Sequence, residues 1–361
     1  MRRLALAIGL VVCAVALADE LPARIDPSTY PGKTWQRIAN PGALGWSDST
    51  LDRFRKELEA TQAGSVFVAY SGKELFEYGD VHKPQFLASV RKSLLSALYG
   101  NYVASGTIKL DSTLAELAID DNGGLSAREK QATVRDLLQA RSGVYHPAAN
   151  KGDDLDNAPP RDSQEHGTYF LYNNWDFNAL GTIFEKRTGQ NIYDAFENDI
   201  ARPVQMEDFK RSLQVKEHHD NLSIHPAYHF HVSSSDLARV GYLMLRNGNW
   251  AGKQLVPADW VKQTTRVVTP VLDMHPERLQ KGPLGYGYLW WPWDSGWAKG
   301  PYEGAYTGHG LGGQFITVLP ALDLVVAFET PQRVAHPVKL SDYLKLLDTL
   351  VSARCSAAPC P

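Results

Sequence analysis

The sequence predicts an α+β fold: an antiparallel sheet built from both termini, flanked by helices, with a helical insertion domain in the middle. Runs typical of strands lie at residues 65–79 and again beyond residue 285. The residues between them carry apolar side chains mostly at helical spacing, or form long polar loops. Sequence-distant strands with helices gathered between them are characteristic of this fold class.

The first part of the chain is predicted to form a helix, a hairpin and a second helix. Ser47 is a favourable N-cap for the first helix, and Gly64 follows its end. Ser71, Gly72 and Lys73 supply a turn between two strand-like runs. The helices and strands expected here lie at 51–58, at 65–70, at 74–79 and from residue 89 onward.

The middle of the chain is predicted to be helical and the last third to return to strands. Short or amphipathic helices are expected at 113–117, 133–138, 175–187 and 235–245. Residues 150–167 are rich in Asp, Pro and Gly, which favours an irregular surface loop. The later strands are expected at 285–291, 313–319 and 324–329, before a closing helix at 338–351.

The first 18 residues resemble a secretory signal peptide. A basic start precedes an apolar run at 4–18 that is short for a bilayer span, and Ala16 and Ala18 are small residues ahead of the first acidic one. We expect cleavage after Ala18 and export to the periplasm or to the outside of the cell. A retained membrane anchor is the alternative, but no basic stop-transfer flank follows.

The composition argues against several classes of partner. The net charge is −3 with acids and bases interspersed, so neither a nucleic-acid surface nor a polybasic membrane patch is expected. Cys355 and Cys360 would remain after signal cleavage, and an oxidising compartment permits a small disulfide between them. Five histidines crowd one region, but no acidic or cysteine spacing completes a zinc set, so neither metal nor cofactor is expected. These histidines are His218, His219, His225, His229 and His231.

Ser89-Val90-Arg91-Lys92 is the first pattern that points to chemistry. On a helix, residues i and i+3 share a face, so Lys92 can reach the Ser89 hydroxyl. A serine hydroxyl needs a base to become a nucleophile, and a desolvated lysine can serve. The unpaired N–H groups of the helix N-terminus also suit a developing oxyanion. Alone, this pattern more often marks a solvated helix face than an active site.

Two later patterns strengthen the hypothesis. Tyr172 and Asn174 flank one residue just before a predicted helix, and a glycine-rich segment at 307–314 leads into a late strand. Ser-x-x-Lys, Tyr-x-Asn and a glycine-rich strand, in this order, resemble the serine β-lactamase and penicillin-binding-protein superfamily. Within it, the chain looks most like the class C-type branch of esterases, D-amino peptidases and 6-aminohexanoate-oligomer hydrolases. The likeness covers roughly residues 40–350.

The resemblance implies a role for each motif residue. Ser89 would be the acylated nucleophile, with Lys92 holding or accepting its proton. Tyr172, with its phenol pKa lowered by Lys92, would be a general base and then an acid to the leaving group. Asn174 would hydrogen-bond Lys92 or a substrate carbonyl. The oxyanion hole would combine the Ser89 N–H with one near Leu311 or Gly312.

The third motif departs from the family pattern. The lactamases have Lys-Thr-Gly or His-Thr/Ser-Gly where this chain has His309-Gly310-Leu311. The missing cation and hydroxyl are the groups that bind the carboxylate of a β-lactam or a D-Ala-D-Ala end. This favours esters or amides lacking that carboxylate, unless Arg141 or another base compensates. We expect His309 near the substrate, with a solvent-facing strand histidine as the alternative.

The expected enzyme is therefore a serine hydrolase, an esterase or amidase that acts on a small-molecule or peptide-like substrate. A β-lactamase or D-amino-acid peptidase is the alternative among enzymes, and a catalytically weak penicillin-binding sensor is the alternative outside them. The expected organisation of the chain is a signal peptide at 1–18, a lead-in at 19–39, a β-lactamase-like domain at 40–350 with a helical part at roughly 110–235, and a tail at 351–361.

Overall fold

A computed structural model describes residues 25–26 and 28–355 of the chain. The predicted signal peptide and Cys360 lie outside these residues. Within them, the α-helices are α1 (Asp48–Glu59), α2 (Val90–Ala104), α3 (Val134–Leu138), α4 (Asn174–Thr188), α5 (Ile192–Phe196), α6 (Ser234–Leu245), α7 (Ala258–Thr265) and α8 (Leu340–Ser352). A π-helical turn, Glu197–Ala201, continues α5. Short 3₁₀ helices lie at Gly42–Leu44, Glu129–Gln131, Leu155–Asn157, Arg211–Leu213, Val271–Asp273, Glu277–Lys281, Ser295–Trp297, Gly300–Tyr302 and Pro320–Leu322.

The strands come from both ends of the described chain, as the sequence predicted. They are β1 (Ser65–Tyr70), β2 (Lys73–Gly79), β3 (Gln85–Phe86), β4 (Val215–His219), β5 (Ser223–His229), β6 (His231–Val232), β7 (Asn249–Trp250), β8 (Lys253–Gln254), β9 (Trp291–Pro292), β10 (Tyr306–Gly310), β11 (Gln314–Leu319) and β12 (Leu324–Glu329). Six of them form one antiparallel sheet in the order β2-β1-β12-β11-β10-β9. The α+β prediction is confirmed.

The alternation of side chains along the central strands explains why helices cover both faces of the sheet. Neighbouring residues of a strand point to opposite faces. On β11, Phe315 stacks on Tyr343 of α8, with ring centroids 4.1 Å apart. Next to it, Ile316 faces α6, where a Cβ added to Gly241 would lie 3.1 Å from the Ile316 Cδ1 atom and 2.4 Å from Val325. The absence of a side chain at Gly241 therefore lets α6 lie directly on the sheet.

Two predicted elements are wrong. Residues 113–117 form turns instead of a helix. Residues 285–291 are mostly irregular, because the chain folds back on itself there: the Gly285 N–H donates to the Pro292 carbonyl and the Gly287 N–H to the Trp290 carbonyl. The aromatic alternation that suggested a strand instead fills the core, where Tyr286 and Trp290 are buried.

The sequence also left some strands unassigned. The hairpin of β4 and β5 lies in the segment where only the histidine cluster had been noted. The glycine-rich segment before β11 is a strand of its own, β10, joined to β11 by a turn in which Gly312 and Gly313 have φ values of 80° and 82°. A turn with two left-handed residues requires glycine there. The late motif therefore lies on a hairpin of the main sheet.

Candidate active site

Ser89 is the N-cap of α2 and lies directly after a sharp bend of the chain. Ala88 has a φ of 46°, an unusual value for a residue with a side chain. Leu87 and Val90 are fully buried on either side of it and fix the bend. No acceptor within the described residues takes the Ser89 N–H. The bend thus presents both the hydroxyl and a free N–H of Ser89 at one place.

Lys92 lies one turn into α2 and contacts three of the predicted site residues. Its Nζ atom is 2.7 Å from Ser89 Oγ, 2.7 Å from the Tyr172 hydroxyl oxygen and 2.8 Å from Asn174 Oδ1. The lysine side chain is 2% exposed and runs across the rings of Tyr172 and Phe177. The buried Lys92 amine therefore contacts Ser89 of its own motif and both Tyr172 and Asn174 of the second motif.

The orientation of Asn174 limits what Lys92 can do with its protons. The Asn174 amide nitrogen donates to the carbonyl oxygens of Lys151, at 3.1 Å, and Asn150, at 3.5 Å, so its Oδ1 atom faces Lys92. A carbonyl oxygen only accepts, so one N–H of Lys92 is always committed to Asn174. In a neutral amine, one N–H and one lone pair then remain for Ser89 and Tyr172, and one of these hydroxyls must donate to Nζ.

Burial and a neighbouring charge favour the neutral amine. Loss of hydration on burial lowers the pKa of Lys92 well below its ordinary value, and the positive charge of Arg91 lowers it further. The Asp153 carboxylate opposes both effects. Because the lone pair of an unprotonated amine can accept a proton, Lys92 has the properties of a general base toward a bound hydroxyl.

Tyr172 comes from the extended segment before α4 and is held by aromatic contacts. Its ring packs against Trp291, with centroids 5.4 Å apart, and against Phe177, at 4.9 Å. Burial raises the pKa of the Tyr172 phenol above its usual range, and the nearby Ser89 hydroxyl opposes this rise. The direction is opposite to the lowering that we expected from Lys92, because loss of hydration on burial of the phenol is the dominant effect. Tyr172 is therefore a neutral phenol at physiological pH.

A cavity of about 450 Å³, here called the first cavity, opens over Ser89 and Tyr172. Its apolar wall includes Trp291, Leu279, Leu284 and Leu340. Its acidic wall carries Asp153 and Asp154 from the loop after residue 150, and Asp154 pairs with Arg278. The Asn174 N–H donates to Asp153 at 2.9 Å. The sequence motifs did not point to these acidic residues, which lie in the segment predicted to be an irregular surface loop.

Strand β10 passes close to the N-terminus of α2. A Cβ added to Gly310 would lie 2.6 Å from the Leu87 carbonyl oxygen and 3.1 Å from the Ser89 nitrogen. A Cβ added to Gly308 would lie 2.9 Å from Ser93 Oγ. A side chain at Gly310 would therefore require movement of the backbone, and one at Gly308 would require the neighbouring side chains to move. This explains the glycine-rich sequence of the strand and brings its end next to the Ser89 N–H.

The late-strand residues differ in how they meet the first cavity. His309 lines it and stacks on Phe315, with centroids 5.1 Å apart. Burial lowers the pKa of His309 to about 4, so its imidazole is neutral at pH 7. Leu311 also lines the cavity and is 73% exposed. Gly312 faces a neighbouring hollow instead of the first cavity.

Arg141 is placed away from the cavities. Its guanidinium donates to Thr269 Oγ1 at 2.9 Å and to the Gly167 carbonyl at 3.2 Å. Arg141 lines neither the first cavity nor the second cavity described below. It therefore does not replace the cation that the late strand lacks.

The remaining candidate residues are the histidines and the cysteines. In the described part of the chain, no group of three or more His, Cys, Asp or Glu side chains could hold a metal ion. His229 and His219 instead contact Glu217, at 2.8 and 3.0 Å. Cys355 is disulfide-bonded, and its expected partner Cys360 lies outside the described residues.

Solved structures share this fold. A β-lactamase from Mycobacterium bovis is 20% identical, with 83% of this chain and 97% of that chain covered and a TM-score of 0.56. A penicillin-binding protein homolog from Caulobacter crescentus is 16% identical, with 86% and 99% covered and a TM-score of 0.62. A family VIII carboxylesterase is 14% identical, with 86% and 99% covered and a TM-score of 0.61. At these identities the likeness establishes the fold alone.

Comparison with family models gives the assignment. No curated protein matches the chain. A model of the family described as Beta-lactamase matches residues 51–349, which include the Ser-x-x-Lys pattern, the Tyr-x-Asn pattern and the late strand. The resemblance inferred from the motifs is confirmed. The chain therefore belongs to the β-lactamase family and is a hydrolase of that superfamily.

Proposed function

We propose that this protein is a serine hydrolase that cleaves a carboxylic ester or amide through an acyl-enzyme at Ser89. The observation that carries the proposal is the position of the Lys92 amine, 2.7 Å from Ser89 Oγ in surroundings that favour its neutral form. A buried amine with a free lone pair beside a serine hydroxyl is the arrangement that nucleophilic catalysis requires.

Acylation begins with transfer of the Ser89 proton. The Lys92 lone pair accepts this proton while Oγ forms a bond to the carbonyl carbon of the substrate. The π electrons of the carbonyl move onto its oxygen, which becomes an oxyanion. The free N–H of Ser89 and an N–H from the chain after Gly310 stabilise this charge. Leu311 directly follows Gly310 and is the first candidate to supply the second N–H.

Collapse of the tetrahedral intermediate expels the alcohol or amine. The Tyr172 phenol donates a proton to this leaving group and regains one from the Lys92 ammonium, since the two atoms lie 2.7 Å apart. Water then attacks the acyl-enzyme and gives up a proton to the same pair. The pair returns this proton to Ser89 Oγ as the ester bond breaks and the acid is released. In this role Tyr172 relays protons as a neutral phenol, which agrees with the direction of its pKa.

The surroundings of Ser89 favour an ester or amide over a β-lactam. The late strand offers a neutral imidazole at His309 and no lysine or threonine beside it. The first cavity is largely apolar along Trp291 and its neighbouring leucines. An apolar wall suits an acyl or alkyl group, whereas nothing on the strand offers a cation to the carboxylate of a β-lactam.

Three probes separate the proposal from its alternatives. Purified protein is incubated with p-nitrophenyl butyrate, with nitrocefin and with a fluorophosphonate, and Ser89→Ala serves as the control. Ester turnover that is abolished in Ser89→Ala supports the proposal. Nitrocefin turnover faster than ester turnover would instead identify a β-lactamase. Labelling by the fluorophosphonate without turnover of any substrate would identify a penicillin-binding sensor.

We also propose that the enzyme is exported. Support comes from the sequence of residues 1–18 and from the disulfide at Cys355, which an oxidising compartment permits. In the described part of the chain, no helix is both long and apolar enough to span a bilayer. N-terminal sequencing of the protein from the extracytoplasmic fraction should begin at Asp19. Recovery of the full-length chain from the cytosol would contradict the proposal.

A further inference from the structure

A second cavity, of about 420 Å³, also reaches Ser89. It shares Leu311 and Gly152 with the first cavity but extends toward the β4–β5 hairpin. Its wall includes Phe86, Asn150 and Glu217, and Arg91 also borders it. A substrate whose scissile bond lies at Ser89 can therefore extend into both cavities.

Arg91 is an uncompensated cation bordering this second cavity. Its side chain is buried, with the residue 1% exposed, and its guanidinium lies over the Tyr228 ring, 4.3 Å from the centroid. Nη2 donates to Asn178 Oδ1 at 2.9 Å, whereas Nη1 has no partner within the described residues. Burial raises the pKa of Tyr228 to about 12, so this phenol is neutral and supplies no negative charge.

The other charged groups around the second cavity leave this cation unpaired. Glu217 is already bound by His229 and His219. Lys151 is exposed at the rim and adds a second positive charge. The cavity therefore combines a buried cation, a cation at its rim and one carboxylate that is bound by histidines.

His229 limits the choice of ligand. Burial lowers its pKa to about 4, and its Nε2–H donates to Glu217, so its Nδ1 atom carries an acceptor lone pair without a partner. A carboxamide would satisfy both this acceptor and Arg91. A carboxylate would satisfy Arg91 alone, but it would neutralise a buried charge. An unpaired buried charge costs more free energy than an unpaired neutral acceptor, so the carboxylate is favoured.

We propose that the second cavity is a subsite for a carboxylate group of the substrate, whose negative charge Arg91 balances. This inference rests on the proposed hydrolase function and names its substrate class: esters or amides that carry a carboxylate some distance from the scissile bond. The cation that the late strand lacks is supplied here by the helix that carries the nucleophile. The carboxylate is thus bound on a different wall from the one that the missing Lys-Thr-Gly would have formed.

Two sets of three esters test this inference. In the acyl set, the p-nitrophenyl esters of adipic acid, of adipamic acid and of 6-methylheptanoic acid end in a carboxylate, a carboxamide and an isosteric alkyl group. In the alcohol set, the three alcohols of the butyrate esters end in the same three groups. These alcohols are 4-(hydroxymethyl)benzoate, 4-(hydroxymethyl)benzamide and 4-isopropylbenzyl alcohol. In at least one set, wild type should prefer the carboxylate in kcat/KM by about tenfold or more.

Variants then assign this preference to Arg91. The ratio of kcat/KM between carboxylate and alkyl substrates should fall at least about tenfold in Arg91→Met and be partly kept in Arg91→Lys. The ratio is the useful quantity, because removing Arg91 also changes Lys92 and thereby the turnover of every substrate. Arg141→Met is the matched control: it removes a positive charge away from both cavities and should leave the ratio unchanged.

The outcomes separate this inference from the proposed function. Failure to hydrolyse any of the six esters would contradict the proposed function itself. Turnover without a carboxylate preference in either set, or with a carboxamide preference, would overturn the inference alone. This comparison uses wild type only and does not depend on how well Arg91→Met folds. An equal ratio in wild type and a folded Arg91→Met variant would also overturn it.

Discussion

Replacing Lys92 with methionine should change how the stability of the protein depends on pH. In the native state Lys92 is buried, and its pKa lies well below the ordinary value because of lost hydration and the charge of Arg91. In the unfolded chain the same ammonium stays protonated up to a pH of about 10.4. Between these two pKa values the unfolded state holds one more proton than the native state.

The sign and size of the effect follow from this proton difference. Because the unfolded state binds the additional proton, the free energy of unfolding rises with pH in this window and falls as the pH drops toward the native pKa. One proton corresponds to about 1.4 kcal/mol for each pH unit. The Lys92→Met variant lacks this contribution, whereas the other titrating groups are common to both proteins.

Urea unfolding followed by tryptophan fluorescence at about pH 8 and about pH 9 measures the effect. The difference in unfolding free energy between wild type and Lys92→Met should move in favour of wild type by about 1.4 kcal/mol between these two pH values. Ser89→Ala keeps the lysine and should follow wild type. A difference that stays constant with pH would show that Lys92 is protonated in the native state, and the proposed base would be lost with it.

Three further predictions concern rates. Tyr172→Phe should reduce kcat about a hundred- to ten-thousand-fold with little change in KM, because the proposed proton relay is removed; a rise in KM with kcat unchanged would point to a binding role instead. Gly310→Ala should reduce kcat by about tenfold or more, because the added Cβ collides with the backbone beside Ser89, whereas the Cβ of Gly296→Ala meets nothing within 4 Å and this variant is the control. Asp153→Asn should move the acidic limb of the pH–kcat profile to lower pH, because the Asp153 carboxylate opposes deprotonation of Lys92; a shift to higher pH would refute this assignment.

Much of the site could be predicted from the sequence because its residues belong to local patterns. Ser89 and Lys92 are three residues apart on one helix, and helical geometry alone brings them together. Tyr172 and Asn174 required the family resemblance, since no local rule places them beside a helix some 80 residues away. The roles assigned to these residues remain predictions until the variants are measured.

The features that the sequence missed depend on packing between distant segments. Arg91 lies inside the first motif, but its lack of a carboxylate partner emerges only when Tyr228 and Asn178 close around it. Asp153 lies in a loop without periodicity, so its contact with Asn174 has no local signal. The direction predicted for the Tyr172 pKa was wrong for the same reason, because it depends on the burial of the phenol itself.

The errors in the fold have a related cause. Residues 285–291 have the alternation and aromatic content of a strand, but their glycines allow a tight reversal that places Tyr286 and Trp290 in the core. Alternation reports which side chains are buried and not whether the backbone pairs with a neighbouring strand. The strands at 65–70 and 324–329 were predicted correctly because they are continuous apolar runs bounded by turn residues.

Because β1 pairs with β12, the centre of the sheet forms late in folding and through contacts between segments that are distant in sequence. Ser65 lies opposite Glu329 and Tyr70 opposite Leu324, so the centre of the sheet joins strands more than 250 residues apart. Closing such a long loop is slow, because its entropy must be lost before the contacts form. Until β12 is available, the hairpin of β1 and β2 keeps an open edge that can pair with other chains. Truncation before residue 324 should therefore leave an aggregating fragment instead of a smaller folded domain.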